Sequence, residues 1–107
     1  MTQWIVFARV SDIAEGKYFS KECGGTNIVV FNLKGSFFAL EDICTHDGTS
    51  LTSGQPIEGE EIVCPRHGAR FCIKTGEALS PPAWEDITKF PLKVCEKKIL
   101  IRDHRWD

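Results

Sequence analysis

Two short segments constrain this chain more than anything else in it: Cys44-Thr45-His46 and, after seventeen intervening residues, Cys64-Pro65-Arg66-His67. The protein has three histidines in 107 residues, and two of them stand in these segments. Thiolate and imidazole are the soft and borderline ligands of iron, zinc and copper, so C-x-H followed by C-x-x-H reads as a metal site. A fold that honours this pattern must bring two loops, distant in sequence, to one point. Each segment is followed by a glycine suited to close a turn, Gly48 after Asp47 and Gly68 after His67. The plainer reading, small buried cysteines beside unrelated surface histidines, would serve for one such pair and not for two.

The spacing also suggests local geometry. In an extended segment residues i and i+2 share a side, so Cys44 and His46 can face one centre together. Cys64 and His67 are three apart and need a tight turn, which Pro65 and Gly68 are suited to make.

The rest of the chain is punctuated like an all-β protein. Apolar and β-branched runs are short: Ile5 to Val10, Asn27 to Phe31, Phe37 to Leu40, Glu61 to Cys64, Arg70 to Ile73, Phe90 to Cys95 and Ile99 to Arg102. Gly24-Gly25, Asn32 to Gly35, Gly54 to Pro56, Gly59, Gly76, Pro81-Pro82 and Glu96 to Lys98 break them apart. The plainest hairpin runs from Asn27 to Leu40 around Lys34-Gly35. Only Ser11 to Gly16 reads as a helical turn, with Ser11 or Asp12 able to cap it. This pattern predicts a small antiparallel β-sandwich or barrel with the two ligand loops at one end.

Length allows one domain, residues 1–107, with one core. A net charge of −2 gives no electrostatic footprint for nucleic acid or for an anionic membrane. The apolar run at the N-terminus breaks at Arg9, too soon for a signal-peptide core or a membrane span, so the expected location is the cytoplasm. Five cysteines cannot all pair within the chain, and ligands plus free thiols is the expected use.

With these residues in view, the chain resembles the Rieske-type [2Fe–2S] proteins, and within them the ferredoxins of bacterial aromatic-ring-hydroxylating dioxygenases. The likeness runs through Phe37 to His46, Ile62 to Phe71, Thr75-Gly76 and Ser80-Pro81-Pro82, and extends over essentially the whole chain. It implies that Cys44 and Cys64 bind one iron of a single [2Fe–2S] cluster, and His46 and His67 the other. It implies a one-electron carrier, not an enzyme, working between a flavoprotein ferredoxin reductase and a terminal oxygenase. Docking would be transient and at the cluster tip, and a monomer suits a carrier that serves two partners in turn. Ser80 to Pro82 resembles the proline-containing loop that covers the cluster in the family, and reads equally as a plain turn between strands.

Two neutral imidazoles in place of two thiolates leave the oxidised centre formally uncharged, which eases reduction relative to an all-cysteine cluster. High-potential members of the family add a disulfide and hydroxyl donors near the cluster. Here the corresponding positions hold Thr49 or its neighbours, Arg66, Ala69 and Phe71, so the potential is expected toward the low end of the Rieske range. One departure is Asp47, where those ferredoxins often have glycine. Its carboxylate opposes reduction, while Arg66 and Arg70 favour it.

The remaining residues carry less. Cys72 and Cys95 lie in strand-like runs and read as buried small hydrophobes, whereas Cys23 beside Gly24-Gly25 reads as exposed. His104 sits in a polar tail and is expected on the surface. Trp84 follows the proline loop and could join a docking surface, although tryptophan is more often core. Glu58, Glu60 and Glu61 read as a solvated acidic turn. No facial triad for mononuclear iron and no dinucleotide fingerprint is present in the chain. Other readings of the four ligands are a Rieske subunit of another redox system, such as a nitrite reductase small subunit, a structural Cys2His2 zinc domain, and a thiol enzyme.

Overall fold

The computed structural model describes residues 3–45, 48–66 and 68–106, with only the backbone of Trp106. Among these residues the strands are β1 (Ile5–Arg9), β2 (Tyr18–Cys23), β3 (Thr26–Leu33), β4 (Ser36–Glu41), β5 (Glu61–Val63), β6 (Arg70–Cys72), β7 (Lys89–Phe90), β8 (Leu92–Cys95) and β9 (Lys98–Ile101). They form three antiparallel sheets: a base sheet ordered β1-β9-β8, a central sheet ordered β2-β3-β4-β7, and the hairpin β5-β6.

β3 explains the layering. Its run Ile28 to Phe31 is fully buried at every position, which requires cover on both faces. Ile28 and Val30 pack with Phe7, Ile99, Ile101 and Phe90 on the base-sheet side. Val29 and Phe31 point the other way, into a second cluster with Leu40, Ile62, Phe71, Cys44 and Cys64. The central sheet thus separates two cores, and each large side chain buried there contributes roughly 1.5–3 kcal/mol. The hairpin β5-β6 and the loops around it close the second core.

The hairpin around Lys34-Gly35 forms as predicted, with Leu33 opposite Ser36 and both turn residues at positive φ, +54° and +92°. Two readings change. Phe90 to Cys95 is not one strand, because Pro91 separates β7 in the central sheet from β8 in the base sheet. β2 was not apparent in the sequence: as an edge strand it exposes Phe19, Lys21 and Glu22, so its apolar pattern is weak. The helical turn predicted from Ser11 is a 3₁₀ turn at Val10–Asp12, where the Asp12 carboxylate accepts the Arg9 N–H at 2.9 Å. Among the described residues no helix is long and apolar enough to cross a membrane.

Candidate metal centre

Both cysteines open turns of the same construction. The Cys44 N–H donates to Thr49 O at 2.8 Å, and the Gly48 N–H donates to Cys44 O at 2.8 Å. In the second turn Cys64 N–H donates to Ala69 O at 2.8 Å and Gly68 N–H to Cys64 O at 3.0 Å. Gly48 and Gly68 both sit at φ +75°, the left-handed region that glycine enters without steric cost. The second turn is the six-residue loop of the β5-β6 hairpin; the first follows β4. Cys44 and Cys64 are 0 % and 1 % exposed, belong to one buried cluster, and are not joined in a disulfide. The other two candidate ligands, His46 and His67, lie outside the described residues, as does Asp47.

A network that sequence reading missed holds the first turn. The buried carboxylate of Asp42, two residues before Cys44, accepts hydrogen bonds from the hydroxyls of Ser20 (2.6 Å), Ser50 (3.1 Å) and Thr52 (2.8 Å), and from the Thr52 N–H (2.9 Å). Gln55 links the two turns, its Nε2 donating to Leu51 O at 2.6 Å and to Val63 O at 2.9 Å. Tyr18 from β2 donates to Gln55 O at 2.7 Å, and burial pushes its phenol pKa up. The only sequence signal for this network was polar residues placed beside ligands, and most such residues face water.

A third loop closes on the two turns. Thr45, between Cys44 and His46, donates its hydroxyl to Glu85 O at 2.6 Å. Ser80 Oγ accepts the Arg70 N–H at 3.1 Å, and Ala83 is buried in the cluster that holds both cysteines. A cavity of about 660 Å³ lies elsewhere, lined by Leu33, Phe38, Ile57 and Lys74 among others, and no residue of either turn borders it.

Two of the other cysteines, Cys23 and Cys95, reverse the sequence reading. Cys23 is buried, because the Gly24-Gly25 turn after it directs it into the base-sheet core; burial pushes its thiol pKa up. Cys95 is exposed on β8, and Cys72 is half-buried. Among the described residues no cysteine is in a disulfide, and Ala69 and Phe71 are fully buried side chains without a hydroxyl. Arg70 is engaged by Glu58 and Glu61, both at 3.3 Å, and Lys74 by Glu60 at 3.0 Å. The acidic run is therefore a partly solvated ion-pair ladder, and the cationic influence of Arg70 on the site is offset by its partners.

Comparison with known proteins decides what these turns belong to. The profile of the Rieske [2Fe–2S] domain matches residues 3–91. The chain belongs to the Rieske family. It is 35% identical over 103 residues, covering 95% of this chain and 98% of the relative, to the ferredoxin component of the naphthalene 1,2-dioxygenase/salicylate 5-hydroxylase systems of Ralstonia sp. The biphenyl dioxygenase ferredoxin subunit of Pseudomonas sp. (strain KKS102) is 30% identical over 92 residues, covering 86% of this chain and 84% of that one. Among solved structures, a chain in the complex of reduced oxygenase and oxidized ferredoxin in carbazole 1,9a-dioxygenase matches with a TM-score of 0.84 and 30% identity, covering 92% of each. This Rieske ferredoxin is an electron carrier with a Rieske-type [2Fe–2S] cluster, not a catalytic subunit. Its residues fit that cofactor: two buried thiols in one cluster, neither in a disulfide and each at the opening of a matched turn, are a soft donor pair closed off from solvent.

Proposed function

We propose that this Rieske ferredoxin, a single domain over residues 1–107, carries single electrons from a flavoprotein ferredoxin reductase to a terminal ring-hydroxylating oxygenase. The cluster ligands in this reading are Cys44 and Cys64 on one iron and His46 and His67 on the other. The observation that carries it is the pair of matched turns that present Cys44 and Cys64 inside one buried cluster. When bound, the cluster supplies a centre that accepts and returns one electron. The chain's own residues set the surroundings. Ala69 and Phe71 exclude water and offer no hydroxyl donor, while Asp42 and Gln55 hold the turns. Fewer donors to stabilise added negative charge place the potential toward the low end of roughly −150 to +300 mV.

The protein acts as a monomer in the cytoplasm and docks briefly with each partner at the cluster tip. Ferredoxin components among its relatives, and a solved complex of ferredoxin with oxygenase, support the choice of partners. The test combines metal analysis with protein-film voltammetry on the purified protein. The expected result is a coloured protein with two irons and two acid-labile sulfides per chain. It gives a reversible one-electron wave in the lower part of the Rieske range. A colourless zinc protein overturns the reading, and a markedly positive potential overturns the argument from Ala69 and Phe71.

A further inference from the structure

Trp84 is 84 % exposed, more than any other large apolar side chain among the described residues. An indole left in water forgoes the largest burial gain available to a side chain, and such a residue on a rigid support marks a contact site. The support here is rigid. The Ile87 N–H donates to Gly76 O at 2.7 Å, and Ala78 N–H donates to Asp86 Oδ1 at 2.9 Å, closing the loop at its base. Leu79 N–H donates to Arg70 O at 2.8 Å, next to the Ser80–Arg70 bond. On one side of Trp84, Ala83 is buried with Cys44 and Cys64; on the other, Glu85 O receives the Thr45 hydroxyl. Trp84 is thus held at a fixed position beside the first ligand turn, with no core role of its own. Leu79 at 43 % and Pro81 add exposed apolar surface to the same loop, and Glu85 and Asp86 add exposed carboxylates immediately after the indole.

We propose that Trp84 is the apolar anchor by which this chain docks onto its terminal oxygenase, entering an apolar socket rimmed by cations that face Glu85 and Asp86. The inference rests on the electron-carrier reading and names the residue that makes the contact. A pre-organised tryptophan loses little entropy on docking and can dominate a small interface, while the carboxylates steer the encounter. The oxygenase is the chosen occupant because a 30%-identical chain of matching length is found in a complex of oxygenase and ferredoxin.

The test uses the loaded holoprotein. Terminal oxygenases of the naphthalene, biphenyl and carbazole systems are first mixed with reduced wild-type protein, and the one it reduces fastest is kept. Trp84→Ala is expected to raise the KM for this chain in oxygenase turnover about tenfold or more, with kcat retained. Trp84→Phe should recover most of that loss. The cluster spectrum, the midpoint potential and the rate of reduction by the reductase should not move. Glu85→Gln with Asp86→Asn should slow association and flatten its salt dependence. An unchanged KM for Trp84→Ala overturns the proposal while leaving the carrier reading intact. So does a loss confined to the reductase step, or a concentration-dependent dimer that Trp84→Ala abolishes. A wild-type holoprotein that reduces none of the oxygenases overturns both.

Discussion

Asp42 shows how much of the turn that opens at Cys44 is held by a side chain outside it. Its carboxylate gathers Ser20 from the central sheet with Ser50 and Thr52 from the far side of the first turn, so the segment holding Cys44 is pinned to β2. Removing the acceptor leaves several donors partly buried and unpaired. Asp42→Ala is expected to lower stability by about 2–3 kcal/mol and to speed iron loss, measured by denaturant melts and by the decay of visible absorbance. The cysteines divide by environment in the same way. Burial disfavours the thiolate of Cys23, whereas Cys95 faces solvent. A maleimide reagent on the intact holoprotein should therefore modify Cys95 first and Cys23 only on unfolding, a difference that peptide mass mapping reads directly. Labelling of Cys23 at the rate of Cys95 would contradict the packing of the base-sheet core.

Among the elements, the loop from Gly76 to Ile87 carries the most consequence for its size. Gly76 is buried at φ +81°, and its N–H and C=O bond to Cys72 O and Ile87 N, both at 2.7 Å. A β-carbon there would collide with the Ile87 carbonyl oxygen and would also need a backbone conformation that other residues resist. Gly76→Ala should cost about 3 kcal/mol or more and loosen the loop that bears Ala83 and Trp84. The check is a thermal melt together with the exchange of amide protons at Ile87 and Cys72. Protection unchanged at both would show that the loop closes without this contact. By contrast the β5-β6 hairpin and the turn after β4 favour glycine at their fourth steps for a simpler reason, the positive φ of Gly48 and Gly68, with open space around both.

At the scale of the molecule, the two-core arrangement is locked by the C-terminal residues. Asp103 is 2 % exposed and accepts hydrogen bonds from Arg105 at Nε (2.9 Å), Nη2 (2.7 Å) and the backbone N–H (3.1 Å). Arg105 also donates to Thr26 Oγ1 at 2.8 Å and lies over the Phe90 ring, tying the end of the chain to the start of β3 and to β7. Hydrogen bonds from Arg105 hold the Asp103 carboxyl well below the usual carboxylate range. A depressed folded-state pKa stabilises the fold at every pH above the unfolded value, near about 3.9. That contribution is lost as pH falls through the lower folded value. Asp103→Asn should thus cost about 2 kcal/mol at pH 7, and its stability should decline less steeply than that of the wild type below about pH 4. Parallel urea melts from pH 7 to pH 2 check this; equal slopes would remove the pair from the account.

What the chain's residues determine alone is whatever depends on neighbours in sequence. The turns that Cys44 and Cys64 open, their closing glycines, the Lys34-Gly35 hairpin and the all-β character were legible because turn chemistry is local. Tertiary structure decided the rest. Cys23 and Cys95 exchanged their expected environments because burial depends on what a strand packs against, not on its own composition. The polar tail Asp103-His104-Arg105 reads as solvated, yet it docks, with His104 set edge-on against Phe90, because its partners lie on β3 and β7. Asp42 and Gln55 became supports of the site only when β2 and the two turns met around them. Trp84 stays in water because the residues on either side of it, Ala83 and Glu85, are already committed to the core and to Thr45.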